Sequence, residues 1–298
     1  MSVMHWPTLL AVLGLSTTGA WSAQPSPAAV EAYNRAVTAV QQRGQLSCSA
    51  GIESMSSIPV QRLPLQDSAG ADIRPDGALT HHWWAAMFVP HAQSEDIVTV
   101  LKDYDHHAEV FAPDVRYSRL LGREGSRYHV VHETLSKNLI TVGLRIESLV
   151  DWSGNEQDGF ASHSHTVRVT EFEHAGTRHA IERTANQTKG WLWSEDSWWH
   201  VSHQSGGACV TYEIIALTRD IPRGLGWLLR PIADRFPVET LTNMLLRTRA
   251  AVQWREFARE GPSISPTSDY SVQGHLGRKK AEVPEGTPRG VPQTASQR

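Results

Sequence analysis

The sequence predicts an α+β protein, a curved antiparallel sheet wrapped around a long C-terminal helix, with an extra helix near the N-terminus. Three observations carry this. Strand-like runs follow one another between Thr80 and Thr218 with short connections, which favours antiparallel neighbours over the βα alternation of a parallel sheet. The stretch 210–251 then passes from a long strand, through Pro222 and Gly224, into a one-sided helical pattern. A helix-forming stretch, 28–43, stands apart ahead of the strands.

The chain has 298 residues, room for one large domain or two small ones. Hydrophobic content of 40% and charged content of 20% are those of a chain that buries a core. A formal charge of -3 and the lack of a Lys/Arg stripe argue against a nucleic-acid partner. The 15 histidines gain most of their charge only below neutral pH.

Residues 9–15 (LLAVLGL) form an apolar run too short to span a bilayer, and small residues follow it. This reads as a signal peptide, 1–23, with cleavage near Ser22 or Ala23. The expected location is therefore periplasmic or secreted, with no transmembrane anchor once the signal is removed. Cys48 and Cys209 are the two cysteines, and an oxidising compartment would allow them to pair.

The elements follow in order. Helix 28–43 carries Val30, Tyr33, Val37 and Val40 along one side, and Gly44 stops it. Residues 45–79 read as an irregular connection with one short strand. The run 81–89 (HHWWAAMFV) is a strand buried on both faces, ended by Pro90. Ser94 can cap a helix in which Ile97, Val100, Leu101 and Tyr104 fall at helical spacing. A turn-rich passage, 105–114, leads to strands at 115–121, 127–135, 139–150, 162–172, 191–203 and 208–218. In 139–150, Ile140, Val142, Leu144 and Ile146 share one face. In 191–203, Trp191, Trp193, Trp199 and Val201 do so. Asp220 and Pro222 cap and open the last helix, which Pro231 and Pro237 divide into two pieces. The domain spans 80–257. A tail, 258–298, is rich in Pro, Ser, Thr and Gly, lacks periodicity from Gly261 onward, and is expected to be disordered.

This order resembles the START-related helix-grip superfamily. The residues that carry the resemblance are His81-His82-Trp83, Asp103-Tyr104-Asp105 and, above all, Leu217-Thr218-Arg219-Asp220-Ile221-Pro222-Arg223-Gly224-Leu225-Gly226-Trp227. It covers roughly 80–253, leaving out the N-terminal helix and the tail. The resemblance implies a deep apolar cavity under the C-terminal helix. It implies no reaction, because members use that cavity for lipid carriage, hormone binding or ring closure of polyketides.

Facing parity places Trp84, Phe88, Ile140 and Tyr212 on the cavity wall, and helical spacing adds Trp227, Leu241 and Leu245. The expected partner is a hydrophobic small molecule or lipid, with Gly224 and Gly226 as the hinge of a helical lid. No catalytic motif and no cofactor site stands out. His163 and His165 share a strand face but make only two ligands, so no metal is expected. The first alternative is a cyclase or aromatase-like enzyme with inward acid or base groups such as His132, Glu213 or Tyr212. The second is an envelope structural or interaction module without a cavity. Glu147 and Arg168 are candidates for an inward ion pair.

Overall fold

The computed structural model describes residues 24–55, 57–73, 77–137, 141–183, 187–220 and 226–260, without the side chains of 226–236, 256, 259 and 260. Helix α1 (Pro27–Arg43) begins after Ser26, whose hydroxyl accepts from the Ala29 amide at 3.1 Å. It ends at Gly44, whose φ of 82° favours glycine. Then come β1 (Val60–Arg62), β2 (Ala78–Pro90), α2 (Ser94–Lys102), α3 (His107–Val110), β3 (Val115–Glu124), β4 (Arg127–Lys137), β5 (Thr141–Asn155), β6 (Gly159–Glu173), β7 (Ile181–Glu182), β8 (Ser194–Gln204), β9 (Gly207–Arg219) and α4 (Gly226–Glu260).

The strands form one open antiparallel sheet in the order β1-β2-β9-β8-β6-β5-β4-β3, with β7 paired to β6. Hairpin order alone would place β2 beside β3. Instead α2 and α3 carry the chain across the sheet, and β9 returns to pair with β2 over its whole length. The crossing helices cover one face.

That inner face is read from the pairing register. Ala85, Met87 and Val89 lie opposite Tyr212, Val210 and Ala208. Together with Val130, Val150 and Trp152 they pack against Ile97, Val100 and Leu101 of α2 and Leu241, Leu245 and Val252 of α4. The outer face of β8 and β9 meets α1. Its buried stripe is Ala29, Ala32, Tyr33, Ala36 and Val40, set against Trp198, Ile215 and Leu217. Val30 is 37% exposed, so the expected valine stripe is displaced toward small residues that let the helix lie close. Further along, Ile52 packs on Trp84 and Ala86, with Leu46, Leu63 and Phe88 beside them. Cys48 and Cys209 are joined in a disulfide, Cα atoms 6.2 Å apart, tying this strap to β9.

Two buried carboxylates lie beneath the strap. Asp196 takes hydrogen bonds from the Tyr33 hydroxyl at 2.6 Å and from His163 at 2.6 Å, with His165 at 3.1 Å. Burial pushes the Asp196 carboxyl up, but the His163 and Tyr33 bonds and the His165 charge hold it below its ordinary range. Glu213 accepts from Arg43 at 2.7 and 2.8 Å and pairs with His82 at 2.6 Å. Tyr33 in the middle of α1 and Arg43 at its C-terminal end thus latch the helix to carboxylates whose burial carries a desolvation cost.

Several expectations are corrected. The C-terminal helix is one helix of 35 residues and not two. An interior proline costs about 3 kcal/mol. The stripe of Leu241, Leu245 and Val252 beyond Pro237 outweighs that, at about 1.5–3 kcal/mol per buried side chain. The capping expected of Asp220 and Pro222 turns on the start of α4, which the described residues do not include. Residues 221–225 lie outside the described residues. Gln93 holds the N-cap of α2, and Ser94 is its buried first residue. The passage 105–114 contains the short helix α3. Strand β8 begins at Ser194, so Trp191, 41% exposed, precedes it and Trp193 packs beside the α1 cluster.

Tyr33→Phe removes one donor from a buried carboxylate. Urea denaturation should show stability lower by about 1–3 kcal/mol, and an unchanged midpoint would mean that α1 is not held through Asp196.

Candidate functional site

Helix α4 lays Leu241, Leu245, Thr248 and Val252 onto the inner face, at helical spacing on one stripe. The sheet curves around this helix, and α2 closes beside it. This is a helix-grip fold.

Inner-face side chains away from the α4 stripe keep accessible surface. Ile146, Phe160, Trp199 and Ile214 are half-buried, as are His132 and Glu195. Their parity is fixed by register: Ile146 faces His132, Trp199 faces Tyr212, and Ser197 faces Ile214. Glu195, two residues from Ser197 on β8, shares that side. His132 and Glu195 are thus polar groups set among half-buried apolar side chains on this face.

The wall is apolar with a few polar groups. Trp199 stacks on Tyr212 at 4.2 Å between ring centroids. Burial, with the nearby Glu195 charge, pushes the Tyr212 hydroxyl up, so it stays protonated. The Glu195 carboxyl is pushed up to about 7, first by burial and then by the charge of Asp196. Near neutral pH it is therefore both a donor and an acceptor. Across the face, His107 of α3 and His132 of β4 share one hydrogen bond, Nδ1 to Nε2 at 3.0 Å. Burial pulls His107 down to about 4 and His132 down to about 3, so the pair is neutral at physiological pH. Beside them Trp152 donates to the Tyr104 hydroxyl at 2.8 Å.

The residues expected on the wall divide into groups. Tyr212, Leu241 and Leu245 meet in the inner cluster. Leu241 and Leu245 are 1% and 0% exposed, so they seal the roof more than they face a space. Trp84 and Phe88 lie on the outer face, against Ile52 and Leu46. Trp83 occupies the inner side, opposite Ile214. A shift of one residue inverts strand parity, and 81–89 is apolar on both sides, so nothing local fixed it. Ile140 and the Trp227 side chain lie outside the described residues, as does Gly224; Gly226 is the first residue of α4. Among the inward acid or base candidates, His132 and Tyr212 face inward, while Glu213 lies outward beneath Arg43. The Glu147–Arg168 pair is also on the outer side. His163 and His165 share one strand side and both turn to Asp196. Among the described residues no group of three or more His, Cys, Asp or Glu could hold a metal ion.

Sequence reasoning missed Glu195 and the His107–His132 pair. The alternation that places Trp199 inward also places Glu195 there. No local pattern brings His107 to His132, because they meet only through the crossover.

No protein-family model matches the chain, and no curated protein is significantly similar in sequence. Several solved structures are similar in fold. A STAR-related lipid transfer protein fragment from Xanthomonas axonopodis matches 67% of this chain and 95% of its own, at 17% identity and a TM-score of 0.47. Human StAR-related lipid transfer protein 5 matches 77% and 98%, at 13% and 0.44. The Zhui aromatase/cyclase from Streptomyces sp. R1128 matches 61% and 99%, at 10% and 0.44. Identities and scores at this level assign neither ligand nor reaction to this helix-grip.

Folding favours the neutral form of both buried imidazoles. The unfolded chain, with histidines near the ordinary value of about 6.5, binds more protons as pH falls. Stability should be full above about pH 6.5 and decline toward pH 4, by up to about 1.4 kcal/mol per pH unit for each histidine. His132→Gln should flatten that decline in denaturation curves taken across the window. An equal slope in the variant would place the pH dependence elsewhere.

Proposed function

We propose that this helix-grip is an exported binding protein for an amphipathic small molecule, a lipid held between the sheet and α4. The observation that carries the reading is the inner wall itself. Ile146, Phe160, Trp199 and Ile214 offer apolar surface, and Glu195 and Tyr212 offer hydrogen bonds within it. Each buried methylene of a ligand would contribute about 0.8 kcal/mol, so an apolar body supplies affinity while one polar end fixes orientation. Export is supported by the apolar run 9–15 and by the Cys48–Cys209 disulfide, since such bonds persist in oxidising compartments.

A fluorescent fatty-acid or sterol probe should bind and change the tryptophan emission, because Trp199 is on the wall. Ile214→Trp should fill the space and weaken probe binding by about tenfold or more while the far-ultraviolet spectrum and unfolding midpoint hold. Unaltered binding in that variant would place the ligand elsewhere.

A second reading, an enzyme of the cyclase kind, is favoured by the inward position of Glu195, whose carboxyl burial pushes up toward the range of a general acid or base. Glu195→Gln separates the two. A carrier keeps most of its binding, whereas an enzyme with Glu195 as its acid or base loses turnover while retaining the ligand.

A further inference from the structure

At the hairpin end of the sheet, α2 stops at Lys102, close to the turns that join β3 to β4 and β5 to β6. A cavity of about 310 Å³ opens there, with Lys102, Arg123, Ser126 and Ser153 among its walls and the rings of Tyr128, Trp152 and Phe160 behind them. The Lys102 ammonium sits 4.8 Å from the centre of the Trp152 ring and 5.9 Å from that of Phe160. The Arg123 guanidinium sits 4.8 Å from the centre of the Tyr128 ring. The aromatic faces fix the two cations in place.

Neither cation has a carboxylate partner among the described residues. The nearby acids are committed elsewhere: Asp103 to His106 and Arg255, and Asp151 to Arg127. Arg123 spends its Nε on the Gly125 carbonyl at 3.0 Å and keeps its other donors. Burial, and then the charge of Arg123, pull the Lys102 ammonium below its ordinary range. Two like charges gathered in a recess raise each other's cost, and an anion between them removes it. Two hydroxyls beside them add donors.

We propose that this recess is an anion site for a phosphate group, with Lys102 and Arg123 as its cationic walls. A phosphate presents three acceptor oxygens and up to two charges, which matches two cations and two hydroxyls better than a single carboxylate does. The phosphate comes either from a soluble phosphate compound or from the headgroup of an anionic lipid. The site shares the Phe160 ring with the inner-face wall, but its binding rests on the two cations and not on that apolar surface.

The test uses the full chain, inorganic phosphate by titration calorimetry, and flotation with vesicles of phosphatidylcholine alone or doped with phosphatidic acid. Lys102→Gln with Arg123→Gln is the main variant. Arg123→Gln alone, at an exposed position, is the control should the double variant unfold. Phosphate binding that weakens by about tenfold or more in the variants supports the site with a soluble source. Retention on phosphatidic acid vesicles alone, lost in the variants, supports it with a lipid source. Binding in neither arm, or binding undiminished in the variants, overturns it. Probe binding to the inner face should be the same in wild type and variants, so failure here leaves the carrier reading standing.

Discussion

The inner face is usable only because the outer face is held. Strands β2, β8 and β9 are buried on both sides, and the outer side contains two carboxylates that strand histidines meet only in part, His163 and His165 at Asp196 and His82 at Glu213. Asp196 and Glu213 are also met by Tyr33, from the middle of α1, and by Arg43 at its C-terminal end. Taking one partner from a buried carboxylate is destabilising, so the helix and the sheet stabilise each other. The Cys48–Cys209 bond closes the same strap onto β9 from the other direction. A sheet braced in this way keeps half-buried apolar side chains, Phe160, Trp199 and Ile214, on its inner face.

That division of labour explains where polarity sits. On the outer side the buried carboxylates among the described residues, Asp196 and Glu213, are matched within the chain. On the inner side Glu195 faces inward with no described residue bonded to its carboxyl, and the histidine pair is kept neutral by burial. Polar groups that the chain does not satisfy are the ones a ligand can satisfy. The same logic applies at the hairpin end, where Lys102 and Arg123 have no carboxylate partner among the described residues. The two features face ligands of different chemistry, one chiefly apolar and one anionic.

Much of the architecture was legible from local pattern. Alternation gave the strands between 115 and 218, and helical spacing placed Leu241 and Leu245 against the sheet. Gly44 bounded α1 by its conformational freedom. Parity failed where both faces are apolar: in 81–89 the local pattern could not separate Trp83 from Trp84, and only pairing with β9 did so. Helix continuity failed for the opposite reason. Pro231 and Pro237 are strong local signals, and tertiary burial beyond them was not visible locally. The contacts that join Tyr33 to Asp196 and His107 to His132 are long-range, and no spacing rule reaches them.

The central claim is that a molecule occupies the space between the inner face and α4. Native mass spectrometry of the protein purified from its own cell tests it most directly. The account predicts a discrete added mass that organic extraction removes, leaving a folded chain that rebinds the extract. A bare chain mass in every preparation, with no uptake of lipids or sterols by the same protein, would contradict it.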